Sequence, residues 1–242
     1  MDVNANGLRV IITAGAGGIG KVTTETFLQN GAKVFISDVD EAALSEMAKS
    51  YPALGVTRCD VSDVKQVDTM FEAALKFLGG LDIMINNAGI AGPTAKVEDV
   101  TTTDWDKTIA VNLNGSFYCT RRAVPALKKS GGGSIVNLSS SAGRLGFPLR
   151  TPYSSAKFAL VGFTESLAME LGPDNIRVNC IQPGIVEGER IDRVIDAKAK
   201  AFGMTFDAYR DRLLANVSMR RMVSPQDIAN TILFLCSDAG KN

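Results

Sequence analysis

Tyr153 and Lys157 stand four positions apart, and Tyr153 follows thirteen residues after Ser140 in the run Ser139-Ser140-Ser141. On a helix, positions i and i+4 share a face. That sets a lysine ammonium beside a phenol and favours the phenolate. A free phenol titrates near ~10, so bringing it to neutrality takes roughly 4 kcal/mol at about 1.36 kcal/mol per unit. A neighbouring ammonium and a bound cationic ring in a partly dry site are enough for that. The chain has no histidine. Ser-His-Asp triads, Cys-His pairs and His-ligated metals are therefore excluded within it, and the Tyr-Lys pair is its best general acid/base near neutral pH. The same spacing also occurs between plain helix-surface neighbours, so the pair needs company before it carries a function.

That company begins near the start of the chain. Thr13-Ala14-Gly15-Ala16-Gly17-Gly18-Ile19-Gly20 directly follows the apolar run Leu8–Thr13. Glycines allow a sharp turn and close approach of a ligand, and a helix opening there presents free N–H groups to a pyrophosphate. Asp38 stands eighteen residues after Gly20, at the end of the next apolar run. A carboxylate at that place accepts hydrogen bonds from adenosine ribose hydroxyls and repels a 2′-phosphate. The loop holds no Arg or Lys to receive such a phosphate, so the pattern favours NAD over NADP. Two further strand ends have the same character. In Cys59-Asp60-Val61, Asp60 is placed to accept from an adenine amino group. In Asn86-Asn87-Ala88-Gly89, small residues admit a ligand, and Asn86 reads as a structural tie between strands.

The elements that must position these residues alternate along the chain. Strand-like runs fall at 8–13, 33–37, 54–59, 82–86, 134–138 and 176–181. Helical stretches fall near 18–30, 40–50, 63–78, 103–129, 154–171 and 225–236. This order predicts an α/β fold, a doubly wound parallel sheet in three α/β/α layers. No repeat or linker divides it, so residues 1–242 read as one domain. Residues 187–222 differ. They are rich in charge and carry two helix-like pieces, 189–202 and 205–216. A long excursion beyond a strand end reads as a lid over the site, with a surface helical hairpin as the plainer alternative. In the stretch 103–129, Trp105, Ile109, Leu113, Phe117 and Val124 recur at helical spacing and read as core.

Composition narrows the classes. Hydrophobic residues make up 45% of the chain, enough for a sizeable core. Lys plus Arg equals Asp plus Glu at 26 each, which argues against a general nucleic-acid partner. No apolar run approaches a membrane span, and Met1-Asp2-Val3-Asn4 has no signal-peptide character. Cys59, Cys119, Cys180 and Cys236 form no CxxC motif and sit in or beside apolar runs. They read as buried reduced thiols in a cytoplasmic protein, with no metal site.

With the glycine loop, Asp38, Asp60-Val61, the Asn86–Gly89 stretch, Asn112, Ser140, Tyr153, Lys157 and Pro183-Gly184 together, the chain resembles the short-chain dehydrogenase/reductase family over nearly its whole length. The resemblance implies a Rossmann-type sheet and reversible NAD(P)-linked oxidation of an alcohol to a carbonyl. It implies Tyr153 as acid/base and Lys157 as the residue that lowers its pKa and holds the nicotinamide ribose. Ser140 would hold the reacting oxygen, with Ser139 and Ser141 set aside by spacing. Asn112 would kink its helix and anchor a relay water. Gly15, Gly17, Gly18, Ile19, Asp38, Asp60, Val61, Asn87, Ala88 and Gly89 would line the cofactor, and Pro183-Gly184-Ile185-Val186 would bind its carboxamide. Three departures stand out. Ala14 replaces the first glycine of the loop, leaving the turn to Gly15 and Gly17. Gly188 replaces a threonine that often contacts the carboxamide. The chain also stops at Asp238-Ala239-Gly240-Lys241-Asn242, short of the family's usual last strand, which would leave a sheet edge and a subunit contact incomplete.

The expected function is therefore NAD-dependent interconversion of a small secondary alcohol (polyol, sugar or hydroxy acid) and its carbonyl. Pocket positions are Ile90 to Thr94, Ser141, Phe147, Arg150, Ile185 and the lid, with Arg144, Arg150, Glu187 and Arg190 as polar handles or a solvated rim. Within the family, the alternative is an NADPH-dependent 3-oxoacyl thioester reductase. From other classes, an NAD-sensing binding protein and a methyltransferase have less support, because neither needs the full Ser-Tyr-Lys-Asn set. The family also implies a homotetramer built through the helices near 103–129 and 154–171.

Overall fold

Six short apolar runs form six parallel strands in the computed structural model, which describes residues 3–241. Met1, Asp2 and Asn242 lie outside the described residues, and with them the outermost positions of the expected single domain and the last residue of the stretch 238–242. The strands are β1 Arg9–Thr13, β2 Lys33–Asp38, β3 Gly55–Arg58, β4 Ile83–Asn86, β5 Gly133–Leu138 and β6 Ile176–Ile181, in the spatial order β3-β2-β1-β4-β5-β6. The helices are α1 Gly18–Gln29, α2 Glu41–Ser50, α3 Val64–Leu78, α4 Thr102–Ile109, α5 Gly115–Lys129, α6 Thr151–Leu171, α7 Glu189–Ala201, α8 Phe206–Leu214 and α9 Pro225–Cys236.

Strand side chains alternate between faces, and both faces are buried. Val10, Ile12, Val34, Ile36, Ile83 and Ile85 pack in one core with residues of α1, α2 and α9. Ile11, Phe35, Met84 and Ile135 pack in the other with residues of α3, α5 and α6. The result is the expected doubly wound sheet in three layers. Among the described residues, no helix is long and apolar enough to cross a membrane.

The stretch 103–129 departs from one continuous helix. A π-helical turn over Ala110–Asn114 separates α4 from α5. The expected core face there is corrected as well. Trp105 is 38% exposed and Phe117 47%, and Ile109, Leu113 and Val124 are only half-buried. The buried side carries Asn112, Gly115, Ser116, Cys119, Ala123 and Leu127. Small residues face inward because the helix lies close to its neighbours: a Cβ on Gly115 would come within 2.6 Å of the Val61 side chain.

The excursion 187–222 has its own small core of Ile195, Ala199 and Tyr209. The rings of Phe202 and Tyr209 stack at 5.8 Å. Its two ends are pinned together by the bridge between Val186 and Val223, with Val223 N donating to Ile185 O at 2.8 Å and Glu187 N to Val223 O at 2.9 Å.

Candidate active site

The strand order turns back between β1 and β4, and the loops leaving their carboxyl ends open the crevice where ligands bind in such sheets. After β1, the turn is made by Ala14 and Gly18, each at φ 50°. Gly15 and Gly17 thus do not absorb the departure at Ala14. Ala14 itself enters the left-handed region, at a cost of about 1–2 kcal/mol for a residue with a Cβ. Gly15 is required by packing, since a Cβ there would meet Ile36 at 2.7 Å. Gly17 and Gly18 face open space.

Gly17 begins α1 with no side-chain cap. Asp40, Asp63, Thr101, Thr205 and Ser224 cap α2, α3, α4, α8 and α9, while α5, α6 and α7 share with α1 the lack of a capping side chain. The first turn of α1 is left without a capping side chain beside open space, and Ile19 follows there, half-buried against the core. That is a fit for a pyrophosphate. Asp38 Oδ2 accepts from Ala16 N at 3.2 Å, and Oδ1 accepts from Val39 N at 2.8 Å and Asp40 N at 3.2 Å. The carboxylate is thereby fastened against the glycine loop.

The β4 end is tied to the same loop. Asn87 Nδ2 donates to the carbonyls of Thr13 and Ala14, at 3.0 Å each. Thr13 Oγ1 accepts from Asn87 N at 3.1 Å and Ala88 N at 3.0 Å. The Asn87 side chain therefore holds the loop, which leaves its backbone to face a ligand. Thr13 is the clamp that sequence reasoning passed over; its only signal is a hydroxyl at the last position of a strand. Asn86 is spent inside the fold, donating to Thr120 Oγ1 at 3.0 Å and Asn137 Oδ1 at 2.8 Å. Asp60 Oδ1 accepts from Ser62 N and Oγ at 2.9 and 2.7 Å, and the Val61 side chain is buried.

The remaining residues converge from β5, the π-turn and α6. Asn112 is fully buried. Its Oδ1 accepts from Ile90 N at 3.1 Å, and its Nδ2 donates to Ile90 O at 3.1 Å and Thr108 O at 2.9 Å. A Cβ on Gly89 would lie 2.6 Å from Asn112 Oδ1 and 3.5 Å from Lys157 Nζ, so these three residues meet at one point. Lys157 is buried, donates to Leu138 O at 2.6 Å, and stands 5.7 Å from the centre of the Tyr153 ring. Burial above all, and then the positive charge of Arg190, pull its ammonium down from 10.5 to about 7, against a smaller pull from Cys180.

Of the three serines, Ser139 donates to Lys157 O at 2.7 Å. Ser140 is half-buried, and its Oγ accepts from Ala142 N at 3.2 Å. Ser141 N donates to Pro183 O at 2.8 Å, which brings the Pro183–Val186 stretch beside the serine run.

A cavity of about 520 Å³ opens between the loop after β4 and helix α7. It is lined by Gly89–Gly92, Thr94, Arg150, Arg190, Arg193, Val194 and Ala197. The Arg150 and Arg190 guanidiniums stand 5.0 and 5.7 Å from the Tyr153 ring centre. Arg190 also donates to Gly89 O at 3.2 Å, so α7 reaches across the crevice. Lys198 of α7 is buried, 3.6 Å from the Phe147 ring centre, and burial followed by the charge of Arg150 lowers its ammonium to about 8. Sequence reasoning missed Lys198, although it falls seven residues after Ile191 and three after Ile195, on the inward stripe of α7. A second cleft of about 600 Å³ lies at the amino ends of β4 and β5, away from these groups.

Comparisons with known proteins follow the same outline. A family model described as Enoyl-(Acyl carrier protein) reductase matches residues 13–242. A D-xylose 1-dehydrogenase of Caulobacter vibrioides is 35% identical, covering 96% of this chain and 89% of its own length. A 3-oxoacyl-(acyl-carrier-protein) reductase of Thermotoga maritima is 35% identical, covering 94% of this chain and 89% of its own. Among solved structures, an NAD+-bound xylitol dehydrogenase superposes with a TM-score of 0.94 at 27% identity, over 98% of this chain and 95% of that one.

Proposed function

The chain belongs to the short-chain dehydrogenase/reductase family, and from that premise we propose that it is an NAD-dependent enzyme that interconverts a small secondary alcohol and its carbonyl. The observation that carries this reading is the convergence of Tyr153, Lys157 and Asn112 with Gly89 of the cavity wall, in a chain whose α1 start is uncapped and whose Asp38 carboxylate is fastened to the glycine loop. The nicotinamide cofactor, when bound, supplies the hydride chemistry.

The chain's own groups do the rest. Tyr153 takes the proton from the alcohol oxygen in oxidation and returns it to the carbonyl oxygen in reduction. Ser140 donates its hydroxyl proton to that oxygen, since its contact with Ala142 N uses only a lone pair. Lys157 holds the ribose and favours the phenolate. With both side-chain ends of Asn112 committed, its backbone carbonyl, which accepts only a long 3.5 Å bond from the Ser116 hydroxyl, is the group to anchor a water on the proton path. Asp38 accepts from the adenosine ribose. Asp60 and the backbones of Val61, Asn87, Ala88 and Gly89 line the adenine and ribose, and Pro183–Val186 meets the carboxamide. The excursion 187–222 acts as the lid, supported by the reach of Arg190 to Gly89.

The four unpaired thiols support a reducing, cytoplasmic setting. The likeness to an acyl-carrier reductase supports a second reading, NADPH-dependent reduction of a 3-oxoacyl thioester. The test is formation of reduced nicotinamide over a panel of polyols, sugars, hydroxy acids and acyl thioesters with both cofactors. Tyr153→Phe should keep the fold and cofactor binding while losing at least about 10²-fold in turnover. Retained turnover would move the acid/base role elsewhere.

A further inference from the structure

We propose that the cavity beside Tyr153 is built for a substrate carrying an anionic oxygen group, carboxylate or phosphoryl, which Arg150 and Arg190 clamp while Tyr153 moves the proton at the neighbouring alcohol oxygen. The proposal rests on the dehydrogenase reading of the site and names its substrate class.

Arg150 is 2% exposed and has no acidic partner among the described residues. One guanidinium nitrogen donates to Ala91 O, and its buried Nε has no hydrogen-bond partner. A buried guanidinium left incompletely paired is costly, and an anion that accepts from it removes the cost. The backbone beside it is strained: Leu149, the residue before it, sits at φ 64°, outside the range a β-carbon favours.

Three guanidiniums line the cavity, and its lining includes no Asp or Glu. Among the described residues, only Arg193 of the three pairs with a carboxylate, Glu189 at 3.5 Å on the exposed side of α7. Lys157 and Lys198 lie behind the wall, and neither has an acidic partner in the described residues. So dense a group of like charges is self-repelling until an anion enters, and planar guanidiniums match the oxygens of carboxylates and phosphates two at a time. Both arginines flank the phenol ring itself. The anionic group is therefore held close to the reacting carbon, which suits a small hydroxy acid or phosphorylated polyol and gives a neutral polyol no counterpart for the charge.

The test compares matched pairs on the cofactor-loaded enzyme: short 2- and 3-hydroxy acids against their methyl esters, and glycerol phosphates against glycerol. Formation of reduced nicotinamide gives kcat/KM for each member. The anionic member should win by about 10-fold or more, since a hydrogen bond to a charged group is worth about 1.5–3 kcal/mol. The carboxylate and phosphate arms tell the two sources apart. In Arg190→Gln, an exposed position where folding is not at stake, and in Arg150→Gln, the anionic preference should collapse through KM, with partial rescue by Arg150→Lys. Neutral members turned over as well as anionic ones, or both members weakened by the same factor in the variants, would overturn the anion clamp and leave the dehydrogenase reading standing. If no pair is turned over, calorimetry with the same acids and phosphates on the loaded protein decides: binding lost in Arg190→Gln upholds the clamp while the dehydrogenase reading fails, and absence of binding overturns the clamp.

Discussion

Asp38 holds the glycine loop through Ala16 N, and in the proposed function its carboxylate is the acceptor for the adenosine ribose. Asp38→Ala removes hydrogen bonds to a charged acceptor worth about 1.5–3 kcal/mol each, so kcat/KM with NAD should fall at least about tenfold. With NADP it should fall less or rise, because the repulsion of a 2′-phosphate disappears too. An unaltered enzyme that already prefers NADP would reverse the assignment and favour the acyl-thioester reading. Lys157 makes a different prediction. Its ammonium falls to about 7 in the folded protein, while the unfolded chain keeps the ordinary value of 10.5. Above about 7 the unfolded state binds more protons, so this residue makes the cofactor-free protein more stable as pH rises towards 10.5, and the gain is lost as pH falls through 7. Denaturant unfolding across that range should show a slope up to about 1 kcal/mol per pH unit that is absent in Lys157→Met. The paired comparison separates it from Lys198 and the buried thiols. An unchanged slope in the variant would show that Lys157 keeps its proton on folding.

At the scale of elements, the junction of β1 and α1 carries strain that a single substitution can relieve. Ala14 adopts φ 50°, and Ala14→Gly should stabilise the protein by about 1 kcal/mol. For a chain of this size that raises the melting temperature by about 2–4 °C. A lower melting temperature would mean that the Ala14 methyl contributes more than its strain costs. The same junction shows how much was legible beforehand. The glycine cluster, the helix start and Asp38 are local signals and were readable. The clamp from Thr13 to Asn87 joins residues 74 positions apart, and no local pattern announces it. The break of the long helix at Ala110–Asn114 was readable only through the family's asparagine, since nothing in the apolar spacing marks a π-turn.

At the scale of the whole molecule, α4, α5 and α6 carry large apolar side chains on their outward faces. Trp105, Phe117, Phe158 and Met169 are all exposed, and Phe117 meets Phe163 edge-on at 6.4 Å across α5 and α6. Apolar patches of this kind mark interaction surfaces. They support the proposed homotetramer, in which these helices pack on their symmetry mates. Light scattering on the purified full-length protein should return four times the chain mass, and Phe158→Glu should lower it. A monomer mass for the unaltered protein would refute the assembly.

What the sequence determined by itself was everything carried by short-range spacing: six apolar runs of strand length, amphipathic stretches between them, a glycine cluster after the first run, an acid after the second, and a tyrosine four residues before a lysine. These are legible because backbone geometry repeats over a few residues. Tertiary structure alone decided which stripe of the 102–129 stretch turns inward. Small residues such as Gly115 and Ala123 face the sheet there while Trp105 and Phe117 face out, because the helix lies close to its neighbours at Gly115, and Leu127 is the large apolar side chain of the inward stripe. It also decided that Arg150 from the start of α6, and Arg190 and Lys198 from α7, gather around Tyr153 and Phe147. In sequence those residues are scattered charges on two helices. Only the path of the 187–222 excursion brings them together: Arg150 and Lys198 are buried there, and Arg190 reaches in from the exposed side of the crevice to Gly89 O.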